Sequence, residues 1–175
     1  MKEDPLELDT RKRIYNLIKE SPGIHFREIS RRLDIPVGVV EYHIHYMLKR
    51  DMIIGKKEGR YKRYYAEGKH GSREKQVFPF LRKKVPREVL INLLMEPGLR
   101  HRDLKEKLQV SGSTLTFHLK KMIKKGVIEE KKDGKHKIYF VSDPESASKS
   151  LILYKESFMD DLVDNFTDTW LELEL

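Results

Sequence analysis

The chain contains no cysteine. Disulfides, thiolate metal sites and cysteine nucleophiles are thereby excluded, and histidine and carboxylate remain as the side chains that could hold a metal. There is no apolar run of about 18 residues, the length a bilayer requires, and the opening MKEDPLELDT lacks the apolar core of a secretory leader. A soluble, cytoplasmic protein without a membrane partner is expected. Also missing are a glycine-rich phosphate loop after a strand, a nucleophile elbow and an HExxH pair, and the scattered carboxylates converge on no predicted cleft. The expectation is of a protein that is not an enzyme and that uses no metal and no cofactor.

Acid is scarce over most of the chain and concentrated at its end. The 36 Lys and Arg against 28 Asp and Glu give a net charge of +8. From Glu156 to Leu175 there are seven acids and no Lys or Arg, so residues 1–155 set 36 bases against 21 acids, a net +15. A body of that charge favours a polyanionic partner.

What is present is a repeat. The segment PGIHFREISRRLDIPVGVVEYHIHYMLKRDMIIGKKEGRYKRYY, from Pro22 to Tyr65, aligns without a gap on PGLRHRDLKEKLQVSGSTLTFHLKKMIKKGVIEEKKDGKHKIYF, from Pro97 to Phe140, 75 residues on. Pro22/Pro97, Gly23/Gly98, Arg27/Arg102, Leu33/Leu108, His43/His118, Met47/Met122, Gly59/Gly134 and Tyr64/Tyr139 are among the identical pairs. A single repeat of this size is a duplicated domain rather than a solenoid.

Each copy reads as three helices and a hairpin. In the first, Asp9 and Thr10 offer N-caps to RKRIYNLIKES, Pro22-Gly23 stops it, HFREISRRL carries Phe26, Ile29 and Leu33 on one face, and Pro36 opens a helix that buries Val40, Ile44 and Met47 and runs to about Arg50. The following MIIGKKEGRYKRYYA alternates around Glu58-Gly59, as a two-stranded hairpin does. In the second copy, PREVLINLLM starts at Pro86, HRDLKEKL follows, Ser111 caps SGSTLTFHLKKMIKK, and the hairpin turns at Asp133-Gly134. The fold class expected is mainly α with small β-hairpins: domain 1 over residues 1–66, a linker over 67–76, domain 2 over 77–142, and a long acidic amphipathic helix over 143–175. Asp143 and Pro144 begin that last helix, whose stripe of Leu151, Tyr154, Phe158, Leu162, Phe166 and Trp170 is long enough to need a partner, either a second copy or a transcription factor. Phe78, Phe80 and Leu81, beside the linker, are expected to pack, an inter-domain contact being one place for them.

Two short helices joined by a tight turn let the second stand proud and enter the major groove of double-stranded DNA, which is about one helix wide. In copy two, Leu115, Leu119 and Met122 share a face, which leaves Ser113, Phe117, Lys120, Lys121 and Lys124 opposite. Small hydroxyls approach base edges, Phe117 meets a thymine methyl, and lysines meet phosphates. Copy one presents Gly38, Tyr42, His45, Tyr46 and Lys49 there, with Glu41 in place of Thr116. Glu41 could accept from a cytosine amine, but a carboxylate beside phosphates is more often repulsive, so copy two ranks first as the DNA reader. Both hairpins are basic, with Lys56, Lys57, Arg60, Lys62 and Arg63 in one and Lys131, Lys132, Lys135, His136 and Lys137 in the other. His43 and His118 read as packing residues, and Arg27 and Arg102 either as phosphate contacts or as partners of a nearby carboxylate.

The run LKEKLQVSGSTLTFHLKKMIKKGVIEEKKDGKHKIYF resembles the winged helix-turn-helix of ArsR- and MarR-type transcriptional regulators, and its duplication resembles archaeal regulators with two winged helices. The resemblance covers each copy and leaves out the C-terminal segment. It implies that the helix from Ser111 is the recognition helix, with Ser111 as its cap and with Ser113, Thr114, Thr116, Phe117, Lys120 and Lys121 facing DNA. The cysteine pairs of the metal-sensing members are absent. The function expected is that of a DNA-binding transcriptional regulator, associated with the nucleoid; the alternatives are a recruiter within the transcription machinery and a structural chromosome protein.

Overall fold

The computed structural model describes residues 5–158 together with Phe166 and Trp170. The chain forms two compact units, Met1–Gly71 and Ser72–Leu175. The first holds α1 (Pro5–Glu20), α2 (Phe26–Leu33), α3 (Val37–Lys49), β1 (Ile53–Glu58) and β2 (Tyr61–Ala66). The second holds α4 (Ser72–Leu81), α5 (Lys84–Met95), β3 (Leu99–Arg100), α6 (His101–Leu108), α7 (Gly112–Lys124), β4 (Ile128–Asp133), β5 (His136–Val141) and α8 (Pro144–Leu153), ending in a 3-10 turn at Lys155–Ser157.

In the first domain Ile14, Ile18, Ile24, Ile29, Val40, Ile44, Met47, Ile53 and Tyr64 form one core. Each apolar stripe meets the others there, and their burial drives the assembly of helices too short to persist alone. Helix α1 starts at Pro5, ahead of the Asp9 and Thr10 caps expected for it; a proline suits a first turn because its N–H has no partner there in any case. Pro36 serves as the N-cap of α3, with Val37 the first helical residue.

The 75-residue spacing extends to the backbone. Helices α3 and α7 both end in a Schellman motif. Met52 N–H donates to Met47 O (3.0 Å) and Asp51 N–H to Leu48 O (3.2 Å); Val127 N–H donates to Met122 O (3.0 Å) and Gly126 N–H to Ile123 O (2.9 Å). The left-handed residue of the motif is Asp51 (φ 53°) in one copy and Gly126 (φ 68°) in the other. Each hairpin pairs one residue further out than expected. Glu58 faces Tyr61 and Asp133 faces His136, so the two-residue loops are Gly59-Arg60 and Gly134-Lys135. Glycine stands first in each, at φ 58° and 60°, where a tight hairpin turn demands positive φ.

Each hairpin makes one further backbone pairing, an isolated bridge in the first domain and a third strand in the second. The residue after each Pro-Gly stop pairs with the wing: Ile24 bridges Tyr64, and Leu99 pairs with Tyr139 in a sheet of order β3-β5-β4. The stop that ends the first helix of each copy thus also ties the start of the second helix to the wing.

Two expectations about boundaries fail. Residues 72–76, expected in the linker, begin α4, which carries Val77, Phe78, Phe80 and Leu81 into the core of the second domain. The C-terminal segment is not one long helix. α8 stops at Leu153, and the 3-10 turn redirects the chain so that Phe158 is buried, with the Arg87 guanidinium 5.7 Å from its ring. Because a 3-10 turn advances three residues per turn, it keeps apolar spacing close to that of a helix and hides the break from a periodicity reading.

Candidate nucleic-acid interface

The exposed side of α7 is prepared at its first turn. Ser111 Oγ accepts from the Thr114 N–H (3.1 Å) and lies 2.8 Å from Thr114 Oγ1 and 3.0 Å from Ser113 Oγ. This cap satisfies one orphan donor and gathers three hydroxyls at one helix end. Leu115, Leu119 and Met122 are buried, which turns Ser113, Thr114, Phe117, Lys120 and Lys124 outward. Phe117 is 63% exposed, a large ring held in water beside hydroxyls and ammonium groups. Lys121 is half-buried. Thr116 is half-buried too, with its Oγ1 3.0 Å from His101 Nε2 at the start of α6.

The second wing is exposed from Lys131 to Lys137, and Lys135 and His136 lie at its turn. Lys137 pairs across the strands with Glu130 (2.8 Å), whose hydrogen bond and charge raise the ammonium above its ordinary value. Between this wing and the start of α6 lies a cleft of about 580 Å³ lined by Arg100, His101, Arg102, Lys135, His136, Lys137 and Tyr139. Exposed ion pairs run along its rim, Arg100 with Asp133 (3.4 Å) and Arg102 with Glu106 (3.8 Å). Such pairs are worth at most about 1 kcal/mol each, so exchange for a phosphate costs little. Arg100 and His101 were not legible as site residues. Their signal is the basic run Arg100-His101-Arg102, placed by the Pro97-Gly98 stop at a helix start beside the wing.

His118, predicted to be a packing residue, is half-buried behind Phe117, the rings 5.2 Å apart. Burial, with Lys83 and Lys121 nearby, lowers its imidazole below the usual value. His43 is buried at the equivalent place in the first domain.

The first domain presents a different face. Gly38, Glu41, Tyr42, His45 and Lys49 are exposed on α3, and Val37 and Val39 stand out beside them. Tyr46 is not on that face. Its ring packs against the core, with the guanidinium of Arg11 at 3.6 Å and that of Arg50 at 4.4 Å from its centroid. Arg63 was expected on the basic wing and is 7% exposed instead, donating to Glu58 Oε2 (2.8 Å) and to Gly23 O (2.8 Å). β2 is covered on both faces from Arg63 to Ala66, and within that covered stretch Arg63 neutralises Glu58 and satisfies a turn carbonyl. Lys56, Lys57, Arg60 and Lys62 remain exposed.

Three members of the proposed partner stripe are used inside the second domain. Leu151 is fully buried, Tyr154 meets Phe78 edge to face at 5.3 Å, and Phe158 is buried. Leu162 lies outside the described residues. Phe166 is buried and stacks at 5.2 Å on a half-buried Trp170. Among the described residues no cluster of three metal-ligating side chains occurs, and no helix is long and apolar enough to cross a membrane.

Two short helices, the second with a polar exposed face, and a three-stranded wing define the winged helix-turn-helix class. Comparison with known proteins agrees. Residues 8–78 match a family described as an N-terminal HTH domain, and residues 84–129 match the winged helix-turn-helix DNA-binding family. A relative described as an uncharacterized HTH-type transcriptional regulator of Methanocaldococcus jannaschii is 28% identical over 137 residues, covering 77% of this chain. The chain spans about a third, 34%, of that relative's length. The chain thus carries two helix-turn-helix domain matches in tandem, the second to the winged helix-turn-helix DNA-binding family. Among solved structures, HlyU from Vibrio cholerae is 20% identical with a TM-score of 0.44, over 51% of this chain and 96% of that one. ZitR of Lactococcus lactis in complex with DNA is 17% identical with a TM-score of 0.32, over 78% and 80%. Likenesses of that size add nothing to the domain matches.

Proposed function

We propose that the second domain binds promoter DNA by placing α7 in the major groove. Ser113, Thr114 and Phe117 meet base edges there, Lys120 and Lys124 meet phosphates, and the cleft between α6 and the wing receives the backbone. The observation that carries this reading is Phe117. An aromatic ring is held out in water on a helix whose other apolar residues are buried or, at Ile123, half-buried, ringed by the small hydroxyls and lysines that a groove accepts. The wing residues Lys135, His136 and Lys137 add contacts that carry no sequence information. No metal, cofactor or chemical step is called for, and the regulator acts in the cytoplasm, on the nucleoid.

The first domain supports a second role. Its α3 offers Val37, Val39, Tyr42 and Glu41 where α7 offers Gly112, Thr114, Phe117 and Thr116, and Arg63 is withdrawn from its wing. It contributes backbone contacts through Lys56, Lys57, Arg60 and Lys62 and leaves base reading to the second domain. A second copy or a transcription factor is the partner proposed for the C-terminal segment.

Mobility shifts against genomic fragments test the reading. At moderate salt one or more fragments are retained against excess bulk competitor; equal retention of all fragments contradicts sequence-specific binding and leaves the structural chromosome role.

A further inference from the structure

The start of α6 and the middle of α7 are joined by one side-chain contact, His101 Nε2 to Thr116 Oγ1 at 3.0 Å. Both residues are half-buried, and His101 also lines the basic cleft beside the wing. The contact is particular to the second domain. Seventy-five residues earlier stand Phe26 and Glu41, which cannot repeat a hydrogen bond between an imidazole and a hydroxyl. A threonine hydroxyl that rotates freely serves base donors and base acceptors alike and discriminates little. Held by an imidazole nitrogen, it keeps a single role. If the ring accepts, the Thr116 proton is committed to His101 and its oxygen offers only lone pairs outward; if the ring donates, the Thr116 proton is turned outward. Either state selects between bases that present an amine and bases that present a carbonyl or ring nitrogen in the major groove.

From this we infer that His101 is a positioning residue for base recognition. It fixes the Thr116 hydroxyl and thereby sets the base preference at one position of the bound site, while its place on the cleft wall couples that choice to backbone engagement. The inference rests on the reading of α7 as the recognition helix and goes further, since it gives a specificity role to a residue outside that helix.

The test is selection of bound sequences from a random DNA pool by the full chain and by His101→Phe, Thr116→Val, the double variant and His101→Gln, each checked for an unchanged melting transition. Phenylalanine is the residue the first copy uses at the equivalent position, so the shape is retained and only the hydrogen bond is lost. His101→Phe and Thr116→Val should flatten the same single position of the selected site, from roughly fivefold preference to near none, as loss of about one hydrogen bond implies. The double variant should be no worse than either single one, and His101→Gln, which keeps a donor and an acceptor, should restore part of the preference. If His101→Phe leaves that position unchanged, or weakens all sequences alike while Thr116→Val has no effect, His101 is a backbone contact at most and the inference falls, with α7 still the reader. A wild-type chain that selects no sequence overturns the DNA reading itself.

Discussion

On the exposed face of α7, two residues separate the forms of DNA recognition. Phe117 touches nothing that the fold needs on its exposed side, so Phe117→Ala should leave the melting temperature within the usual surface range while relaxing base preference. Lys120→Ala should weaken binding to every sequence alike and lower the salt slope by about one unit; equal loss across sequences from both changes removes Phe117 from base readout. Arg63 makes the opposite case. It was legible as one more cation of a basic wing, because composition does not report on which side of a strand a residue lies. Its buried contacts with Glu58 and Gly23 O make Arg63→Ala a stability variant. A loss of roughly 2 to 3 kcal/mol is expected in thermal or denaturant melts, from a stranded carboxylate and carbonyl. His118 gives the fold a pH dependence of stated sign. Its imidazole is lowered in the folded chain, so the unfolded chain binds the proton more tightly. The stability it contributes is present above the ordinary imidazole value and is lost as pH falls through the lowered one; His118→Gln should flatten that part of a melting profile against pH.

The elements were legible to the extent that a repeated pattern marks them. Helical periodicity, the Pro-Gly stops and the glycine-turned hairpins locate α2, α3, α6, α7 and the four long strands. The Ile24 bridge and the third strand at Leu99–Arg100 were not legible, since one or two residues are too few to alternate and declare themselves only by pairing with Tyr64 or with β5. Nor was the break after Leu153, because the 3-10 turn preserves the apolar spacing on which a helix is recognised. α4 was half legible: its aromatics signalled packing, whereas the polar residues 72–76 signalled a linker. The element that closes α7 offers its own test. Gly126 adopts φ 68° with open space where a Cβ would stand, so Gly126→Ala meets backbone strain alone and should cost about 1 kcal/mol. A neutral result in melts would show that the turn relaxes out of the left-handed region.

At the scale of the molecule, the duplication conserves the framework and lets the exposed faces diverge. Ser113, Thr114, Phe117 and Lys120 occupy one domain where Gly38, Val39, Tyr42 and His45 occupy the other. The candidate site of the second domain was largely legible, because Leu115, Leu119 and Met122 fix its inward face and hence its outward one. The role of His101 was not, because it depends on a contact between helices that no periodicity reports. The C-terminal segment divides as well, Leu151, Tyr154 and Phe158 belonging to the core of the second domain. Leu151→Ala should therefore lower the unfolding free energy by about 2 to 5 kcal/mol without altering sedimentation mass. Deletion of residues 159–175 should convert a dimer to a monomer if that part joins two copies, and an unchanged mass assigns it to another partner.

The central claim is that α7 reads DNA sequence. Selection from a random DNA pool by the full chain at moderate salt, repeated with Phe117→Ala, tests it most directly. The wild-type chain should enrich a defined site and the variant should lose preference at a subset of its positions; an unenriched pool, or the same site selected by both proteins, means that α7 does not read sequence through Phe117.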